Sequence, residues 1–404
     1  MGMYDSIEIP YGCYWSTPFV KWQGSLQHLH SLEFAAWVLK RELEHRAIDP
    51  ALITHGVLAT TVMQRRSFYG LPWLTGMAGL KHVPGPTLNQ ACASGTRMLL
   101  AGIQEIASGL TEVSLLIAAD RLSNGAHVYY PEPGRPGGTG SSEDVVLESF
   151  ACDPLGGHSM LQTAENVAKK HGISMTEQHE VTLRRLEQYR EALKDNQAFQ
   201  RRYMTLPFEV PRPDLRKIET TLQGDEGVFA STAEGMARLK PILPGGSVTY
   251  AAQTHPADGN AVMFVAASAV AQRISRNPRL RIRAMGFGQA RADLAYMPEA
   301  TIPAAQAALR QSGLAATQLH AVKTHNPFAV NDIVLSRALG FPLQDMNNFG
   351  CSLIWGHPQG PTAVRSLIEL IEELVIRGGG NGLFTGCAAG DSSVAVVLSV
   401  DDRK

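Results

Sequence analysis

Cys92 is the residue whose type and position point most directly to chemistry. It lies in residues 89–97 (NQACASGTR), between a predicted turn and a predicted helix. Pro84-Gly85-Pro86 predicts the turn, and apolar residues at helical spacing from Met98 to Ile106 predict the helix. The free N–H groups of a helix N-terminus stabilise a thiolate, which is the nucleophilic form of cysteine. The alternative for a single cysteine is a small buried apolar residue.

Three further loops carry residues that could act with Cys92. His325 begins His-Asn-Pro-Phe (325–328) after a short apolar strand, His357 stands in Gly-His-Pro before a helix, and Cys387 follows a strand-like run. Open α/β sheets build their sites from such loops. Taken singly, each histidine is also compatible with a loop or core position, and Cys387 with a structural one.

Alternating strand and helix patterns around these loops predict an α/β fold. A helix around residues 31–46 ends before Asp49-Pro50, and a β-branched run over 53–61 follows, which predicts a largely parallel sheet. A Pro- and Gly-rich loop and polar helices around 163–172 and 176–195 interrupt the pattern between residues 122 and 244. This stretch predicts an inserted subdomain that carries a function.

The second half of the chain repeats the order of the first. The helix, polar break and strand of residues 39–59 correspond to residues 305–323. The Cys92 turn and its helix correspond to residues 356–360 and a helix over 362–377. Two copies of one α/β unit predict stacked sheets and helices around a shared core, with equivalent loops converging on one site.

Composition limits the classes of protein that fit. The chain has 404 residues, 44% hydrophobic and 18% charged, with a formal net charge of −1, which gives no support for binding nucleic acid or a membrane surface. Its five cysteines are widely spaced and contain no C-x-x-C pair, so neither a disulfide framework nor a sequence-local zinc site is indicated. We expect a cytoplasmic protein that does not span a membrane.

In order along the chain, the motifs resemble those of the thiolase superfamily. The match covers nearly the whole sequence and rests on STPF (16–19), the Cys92 loop, ADRLS (119–123), MLQTAENVA (160–168), HNPF (325–328), GHPQG (356–360) and CAA (387–389). The resemblance implies a five-layer αβαβα fold of two pseudo-equivalent halves. The N-terminal half would comprise residues 1–121 and 245–273, a coenzyme A-binding loop subdomain residues 122–244, and the C-terminal half residues 274–404. It also implies a homodimer or larger assembly.

The family's chemistry assigns a role to each reactive residue. Cys92 would attack the ketone of a 3-oxoacyl thioester and become acylated, with His357 as its base. Imidazoles of His325 and His357 would hold the enolate oxygen, and Cys387 would protonate the enolate carbon. Backbone N–H groups of Cys92 and Ala389 would form the second oxyanion hole. The resemblance implies no metal and no redox cofactor, with coenzyme A as a substrate.

Several positions depart from the family's usual residues. His325 replaces an asparagine, and Ala389 replaces a glycine, although alanine disfavours positive φ. Ser159, His255 and Trp355 also differ from the usual residues, and they lie near the expected acyl pocket. We predict Met160, Phe328 and Trp355 as substrate contacts, with the alternative that Trp355 fills the core.

These departures favour a degradative thiolase that acts on a bulky, branched or aromatic 3-oxoacyl-CoA. Thiolases with this HNPF type of loop resemble those of anaerobic aromatic catabolism, which act with a small zinc-binding OB-fold subunit, and benzoylsuccinyl-CoA is one such substrate. A condensing or C-acyl-transferring enzyme that uses the same residues in reverse is the first alternative. The second is a non-catalytic acyl-CoA-binding scaffold, which would not need Cys92, His357 and Cys387 together.

Overall fold

The computed structural model describes Tyr4 and residues 6–403. Its strands are β1 (Ile7–Glu8), β2 (Tyr14–Ser16), β3 (Val20–Lys21), β4 (His55–Ala59), β5 (Thr87–Leu88), β6 (Val113–Arg121), β7 (His127–Tyr130), β8 (Ser141–Asp144), β9 (Phe208–Pro211), β10 (Ile218–Leu222), β11 (Ala257–Ala267), β12 (Leu280–Arg291), β13 (Ala321–His325), β14 (Gly380–Ala388) and β15 (Ser392–Asp402). Its helices are α1 (Ser31–His45), α2 (Gly70–Met77), α3 (Ser94–Ala107), α4 (Leu147–Ala151), α5 (Met160–His171), α6 (Met175–Ala192), α7 (Lys194–Gln197), α8 (Ala233–Met236), α9 (Ser268–Ile274), α10 (Thr301–Ser312), α11 (Ala329–Leu339), α12 (Ser352–Trp355) and α13 (Gly360–Ile376).

Two mixed sheets form the body of the protein. In the first, β11 pairs antiparallel with β6 on one side and with β1, β2 and β3 on the other, while β4 runs parallel to β6 and β5. In the second, β15 pairs antiparallel with β12 and β14, and β13 runs parallel to β14. The prediction of a largely parallel sheet is therefore wrong. Apolar periodicity reports which residues are buried but not the direction of the neighbouring strand.

The sheets and helices stack in five layers. α1 and α2 cover the outer face of the first sheet, α3 and α13 lie between the two sheets, and α10 covers the outer face of the second. One apolar core runs through the inner layers, from Leu39 of α1 through Leu116 of β6 and Ile103 of α3 to Ile368 of α13 and Phe384 of β14. The predicted αβαβα sandwich is confirmed.

The two halves repeat one topology, as the sequence predicts. α1 precedes β4 and α3 precedes β6, just as α10 precedes β13 and α13 precedes β14. α3 and α13 are thus the equivalent helices of the two halves, and they pack against each other at the centre. Their N-terminal ends approach so closely that a Cβ on Gly95 would lie 2.4 Å from the Gly360 carbonyl oxygen. The loops that start the two helices, with Cys92 and His357, are therefore neighbours.

The segment between β6 and β11 carries the predicted polar helices, observed as α5 and α6, and two small hairpins, β7–β8 and β9–β10. α5 and α6 pack against α11, so the inserted segment contacts the C-terminal half. The residue bounds given above for the halves and the subdomain stay a prediction. Within the described part of the chain, no helix is both long and apolar enough to cross a bilayer.

Candidate active site

A cavity of about 630 Å³ lies where loops from both halves and the inserted segment meet. Cys92, His357, Cys387 and Ala389 all line it, although they come from three separate places in the sequence. Most of the remaining wall is apolar and includes Val62, Leu122, Val146, Phe150, Met160, Leu161, Met297 and Phe328. A cavity of this size and character accommodates a small organic ligand.

Cys92 sits on a tight turn at the start of α3. Ala91 adopts a left-handed backbone conformation (φ 46°), and its N–H donates to the side-chain oxygen of Asn89 at 2.8 Å. The Ser94 hydroxyl closes the turn, because it accepts from the N–H of Gln90 and donates to the carbonyl of Ala91, both at 2.7 Å. This turn directs the Cys92 side chain to the cavity wall.

The expected thiolate at this helix start is not found. Burial raises the pKa of the Cys92 thiol to about 12, and this outweighs the backbone N–H groups of Ala389 and Cys92, which act in the opposite direction. The thiol instead donates a hydrogen bond to the Gln359 side-chain oxygen at 3.0 Å. A base is therefore needed to produce the nucleophile.

His325 and His357 lie face to face beside this thiol. Their ring centroids are 3.9 Å apart, and a ring nitrogen of each lies within 4.8 Å of the Cys92 sulfur and of the other. Each Nδ1 bonds a hydroxyl, Ser352 for His325 at 2.9 Å and Thr362 for His357 at 2.6 Å. Both Nε2 atoms are buried and have no hydrogen-bond partner among the described residues.

Both imidazoles are neutral. Burial lowers the pKa of His357 to about 3, although the neighbouring Gln359 side chain acts in the opposite direction, and burial together with His357 lowers the pKa of His325 well below its usual value. A neutral imidazole with a free Nε2 can accept a proton from a thiol, which is what a base for Cys92 requires. His357 lines the cavity, whereas His325 does not and stacks against the His357 ring.

The surroundings of Ser352 indicate which tautomer His325 adopts. The Ser352 hydroxyl accepts from the Asn326 N–H and donates to the Asn326 side-chain oxygen, both at 3.0 Å. A hydroxyl has a single hydrogen, so Nδ1 of His325 is the donor to Ser352. Nε2 of His325 then presents a lone pair. His325 is predicted to donate a hydrogen bond to the enolate oxygen, which requires the tautomer with the proton on Nε2. Rotation of the Ser352 hydroxyl, so that it donates to Nδ1, would permit that tautomer.

Cys387 is the penultimate residue of β14 and lines the same cavity as Cys92. Its sulfur accepts a hydrogen bond from the side-chain amide of Asn331 at 3.3 Å. Burial, followed by the nearby Cys92, raises the pKa of the Cys387 thiol above its usual value. A thiol held in its protonated form is suited to give up a proton to a carbanion.

Ala389 accommodates the replacement of glycine without strain. The left-handed conformations of its loop fall on the next two residues, Gly390 (φ 77°) and Asp391 (φ 52°), so Ala389 itself need not adopt one. Its N–H and that of Cys92 both lower the pKa of the Cys92 thiol, in opposition to burial. The two N–H groups therefore lie on the side of the cavity where Cys92 would carry an acyl group.

The predicted substrate contacts divide into two groups. Met160 and Phe328 line the cavity, and so does Ser159. Trp355 does not: it is fully buried, with its ring 5.2 Å from that of Phe19 and 4.4 Å from the Arg365 guanidinium carbon. The prediction that Trp355 contacts substrate is corrected, because the helix α12 turns its side chain into the core beneath the site.

Sequence reasoning assigned no role to four residues that contact the reactive groups. Gln359 holds the Cys92 thiol, Ser352 and Thr362 orient the imidazoles, and Asn331 bonds Cys387. Gln359 adopts an unusual backbone conformation (φ 59°, ψ −110°) between a proline and the first residue of α13. A polar side chain between Pro358 and Gly360 at a helix start was the available signal. The hydroxyls gave none, because serine and threonine are common everywhere.

Comparison with known proteins places the chain in a family. The family model of the thiolase N-terminal domain matches residues 15–269, and that of the thiolase C-terminal domain matches residues 278–400. The acetyl-CoA acetyltransferase of Pseudomonas aeruginosa is 30% identical over 387 residues, which cover 94% of this chain and 96% of that protein. The human mitochondrial 3-ketoacyl-CoA thiolase is 26% identical over 390 residues, with 95% and 96% covered.

Solved structures agree in fold. The human mitochondrial 3-ketoacyl-CoA thiolase in complex with CoA superposes with a TM-score of 0.88 at 23% identity, covering 99% of both chains. The acetyl-CoA acetyltransferase of Bacillus anthracis also gives a TM-score of 0.88, at 24% identity and with 98% of both chains covered. The resemblance found in the sequence motifs is thereby confirmed, and the chain belongs to the thiolase superfamily of acyltransferases.

Proposed function

We propose that this enzyme cleaves a 3-oxoacyl-CoA with free coenzyme A through an acyl group carried on Cys92. One observation carries the proposal: the Cys92 thiol, a neutral His357 with a free Nε2, and a protonated Cys387 meet at one cavity. Together they supply a nucleophile, a base and an acid, which are the groups that cleavage of a carbon–carbon bond next to a ketone requires.

In the first half-reaction, His357 Nε2 takes the proton of Cys92, and the sulfur attacks the 3-oxo carbon. The bond between C2 and C3 then breaks, its electron pair forms the thioester enolate, and Cys387 gives its proton to C2. His325 would hold the enolate oxygen in the tautomer that carries a proton on Nε2. The C1–C2 fragment, now protonated at C2, leaves as its coenzyme A thioester, the shortened acyl group stays on Cys92, and Cys387 remains as thiolate with His357 protonated.

The second half-reaction restores both groups. The Cys387 thiolate takes the thiol proton of coenzyme A, whose sulfur attacks the carbonyl of the acyl group on Cys92. The N–H groups of Cys92 and Ala389 would bind the tetrahedral oxygen. The Cys92 sulfur departs and recovers its proton from His357, so all protons balance over one turnover.

The size and apolar wall of the cavity support a bulky, branched or aromatic acyl group, and benzoylsuccinyl-CoA is the specific candidate. Phe150, Met160, Met297 and Phe328 supply the large apolar surface. Aromatic and sulfur-containing side chains contact aromatic rings favourably. Met160→Ala should enlarge the cavity and alter the preference among acyl chains. The same residues would also serve a condensing enzyme, and measurement of both directions separates the two.

The test of this function is incubation with a panel of 3-oxoacyl-CoAs, short and aromatic, with and without coenzyme A. Mass spectrometry should find the acyl group on Cys92, and aromatic substrates should give the higher kcat/KM. Cys92→Ser should abolish cleavage without unfolding the protein. Unchanged turnover in that variant would refute the mechanism, and absence of cleavage from every substrate would favour the scaffold alternative.

A homodimer or larger assembly, a cytoplasmic location and a small zinc-binding OB-fold partner remain proposals. Exposed aromatic side chains support an interface, since Phe68 is 95% and Tyr69 70% exposed. Light scattering of the purified chain tests the oligomer. Co-purification from the native host tests the partner, and a catalytically competent chain without it would argue against a required second subunit.

A further inference from the structure

Cys92, His325 and His357 bring three potential metal-ligand atoms together in one cluster. One sulfur and two ring nitrogens lie within 4.8 Å of one another. In a tetrahedral zinc site with ordinary bond lengths, ligand atoms are roughly 3.3 to 3.7 Å apart. The longest separation would have to close by roughly 1 to 1.5 Å, which needs rotation of the Cys92 side chain away from Gln359 and a small shift of the stacked imidazoles.

The hydrogen-bond partners of the two imidazoles match what metal-bound histidines require. Nδ1 of His325 bonds Ser352, and Nδ1 of His357 bonds Thr362. In metal sites, a partner on one ring nitrogen fixes the ring orientation and the tautomer, leaving the lone pair of the other nitrogen for the metal. The hydrogen bonds around Ser352 place that lone pair on Nε2 of His325.

The buried nitrogens point to a ligand independently of the spacing. Nε2 of His325 and Nε2 of His357 both lack a hydrogen-bond partner among the described residues, although both rings are buried. Buried polar atoms are almost always paired, so two adjacent orphans mark a place where something binds. Cys92 and His357 line the cavity, which offers a path for entry and a fourth position for water.

We propose that Cys92, His325 and His357 bind one thiophilic divalent cation of the Zn²⁺ type, and that its binding inhibits the enzyme reversibly. On binding, the Cys92 S–H bond breaks, a sulfur–metal bond forms, and one proton is released to the buffer. The metal occupies the sulfur lone pair that attacks substrate and the nitrogen that serves as base. No oxidation or reduction is involved. The inference rests on the geometry and holds whether or not the enzyme cleaves 3-oxoacyl-CoA.

Co²⁺ is the probe, because a cobalt–thiolate bond gives a charge-transfer band in the near ultraviolet. Titration of the full-length chain, without any acyl-CoA, should give one Co²⁺ per chain with this band and the intense visible bands of tetrahedral coordination. Zn²⁺ should displace the cobalt. The same titration should block iodoacetamide alkylation of Cys92, and EDTA should restore it.

Variants assign the ligands. Cys92→Ser should lose the charge-transfer band. His325→Gln or His357→Gln removes a metal ligand, so each should weaken Co²⁺ binding at least as much as removal of the hydroxyl that orients that ligand. Ser352→Ala and Thr362→Val, which leave all three ligands in place, should weaken it about 10- to 100-fold. Cys387→Ala, a thiol in the same cavity but outside the cluster, and Cys152→Ser, an exposed thiol, should keep the band.

Two results would overturn the proposal: no charge-transfer band on Co²⁺ titration, or a band that persists in Cys92→Ser. If Cys92→Ser does not fold, wild-type protein alkylated on Cys92 takes its place and should likewise show no band. Failure of the metal proposal is distinguishable from failure of the proposed reaction, because the titration uses no substrate and the substrate panel uses no metal.

Discussion

The Cys92 thiol donates its hydrogen bond to Gln359, at 3.0 Å from Oε1, although the free Nε2 of His357 belongs to the same cluster. An acceptor for S–H stabilises the neutral thiol over the thiolate. The side chain of Gln359 extends from a backbone position (φ 59°, ψ −110°) that non-glycine residues rarely adopt. The contact with Gln359 therefore favours the neutral, unreactive form of the nucleophile.

Gln359→Met tests this restraint. The variant keeps the length of the side chain but removes the acceptor, so the S–H group turns to His357, and alkylation of Cys92 by iodoacetamide at pH 8 should be about fivefold faster, the equivalent of one ordinary hydrogen bond of about 1 kcal/mol. Peptide mass spectrometry locates the label. Gln253→Met, which changes the same residue type elsewhere on the cavity wall, is the control and should leave the rate unchanged. Slower alkylation in Gln359→Met would mean that the amide helps the thiolate instead.

The neutral state of His357 should appear in the pH dependence of stability. Its folded-state pKa of about 3 lies below the usual 6.5. Between these two values the unfolded chain binds a proton that the folded protein does not, so the free energy of unfolding falls as the pH drops from 6.5 towards 3 and is unaffected by this histidine above pH 6.5. At pH 4.5 the loss amounts to about 3 kcal/mol. Urea unfolding at pH 7 and 4.5 should show this loss in the wild type but not in His357→Gln. Asp120 and Asp258, whose pKa values are raised to about 6, act in the opposite direction but equally in both proteins. Parallel pH profiles for the two proteins would contradict a neutral buried His357.

Cys387→Ala should separate the two half-reactions. Cys92 and His357 remain, so transfer of an acyl group from a simple acyl-CoA to Cys92 should persist, whereas protonation of the enolate should fail and 3-oxoacyl-CoA cleavage should fall by at least about 100-fold, within the range of a general acid. Rapid-quench mass spectrometry measures the first, and a coupled assay the second. Loss of both together would show that Cys387 acts only by packing.

Asp225 and Arg365 connect the inserted segment to the central helix α13. Their side chains are fully buried and form two hydrogen bonds, at 2.6 and 2.8 Å. Asp225→Asn removes one of the two buried carboxylates that pair with the Arg365 guanidinium, the other being Glu369 at 3.0 Å, and the free energy of unfolding should fall by about 3 kcal/mol. Glu219→Gln, which removes the charge from an exposed pair with Arg212, should cost less than about 1 kcal/mol in the same urea titration. Equal effects would show that the buried pair contributes no more than a surface one.

Local sequence patterns determined where most of the long helices lie and how the layers are ordered. Apolar spacing, polar helical runs and the internal repeat together located α1, α3, α5, α6 and α13 to within a few residues, because helix-forming patterns are a property of neighbours in sequence. The internal repeat and the ordered motifs predicted the five layers and the convergence of Cys92, His357 and Cys387 at one cavity. That prediction was possible because equivalent loops of two stacked copies must lie at equivalent ends of their sheets.

Only the tertiary structure decided the remaining properties. Strand direction depends on which strand lies alongside, so the predicted parallel sheet was wrong. Trp355 has the residue type of a substrate contact but turns into the core, because the short helix α12 sets its direction. The ionisation of Cys92 follows from burial and not from the helix start visible in the sequence. The contact with Gln359 and the cluster with two histidines join residues more than 200 positions apart, and no local pattern encodes such distances.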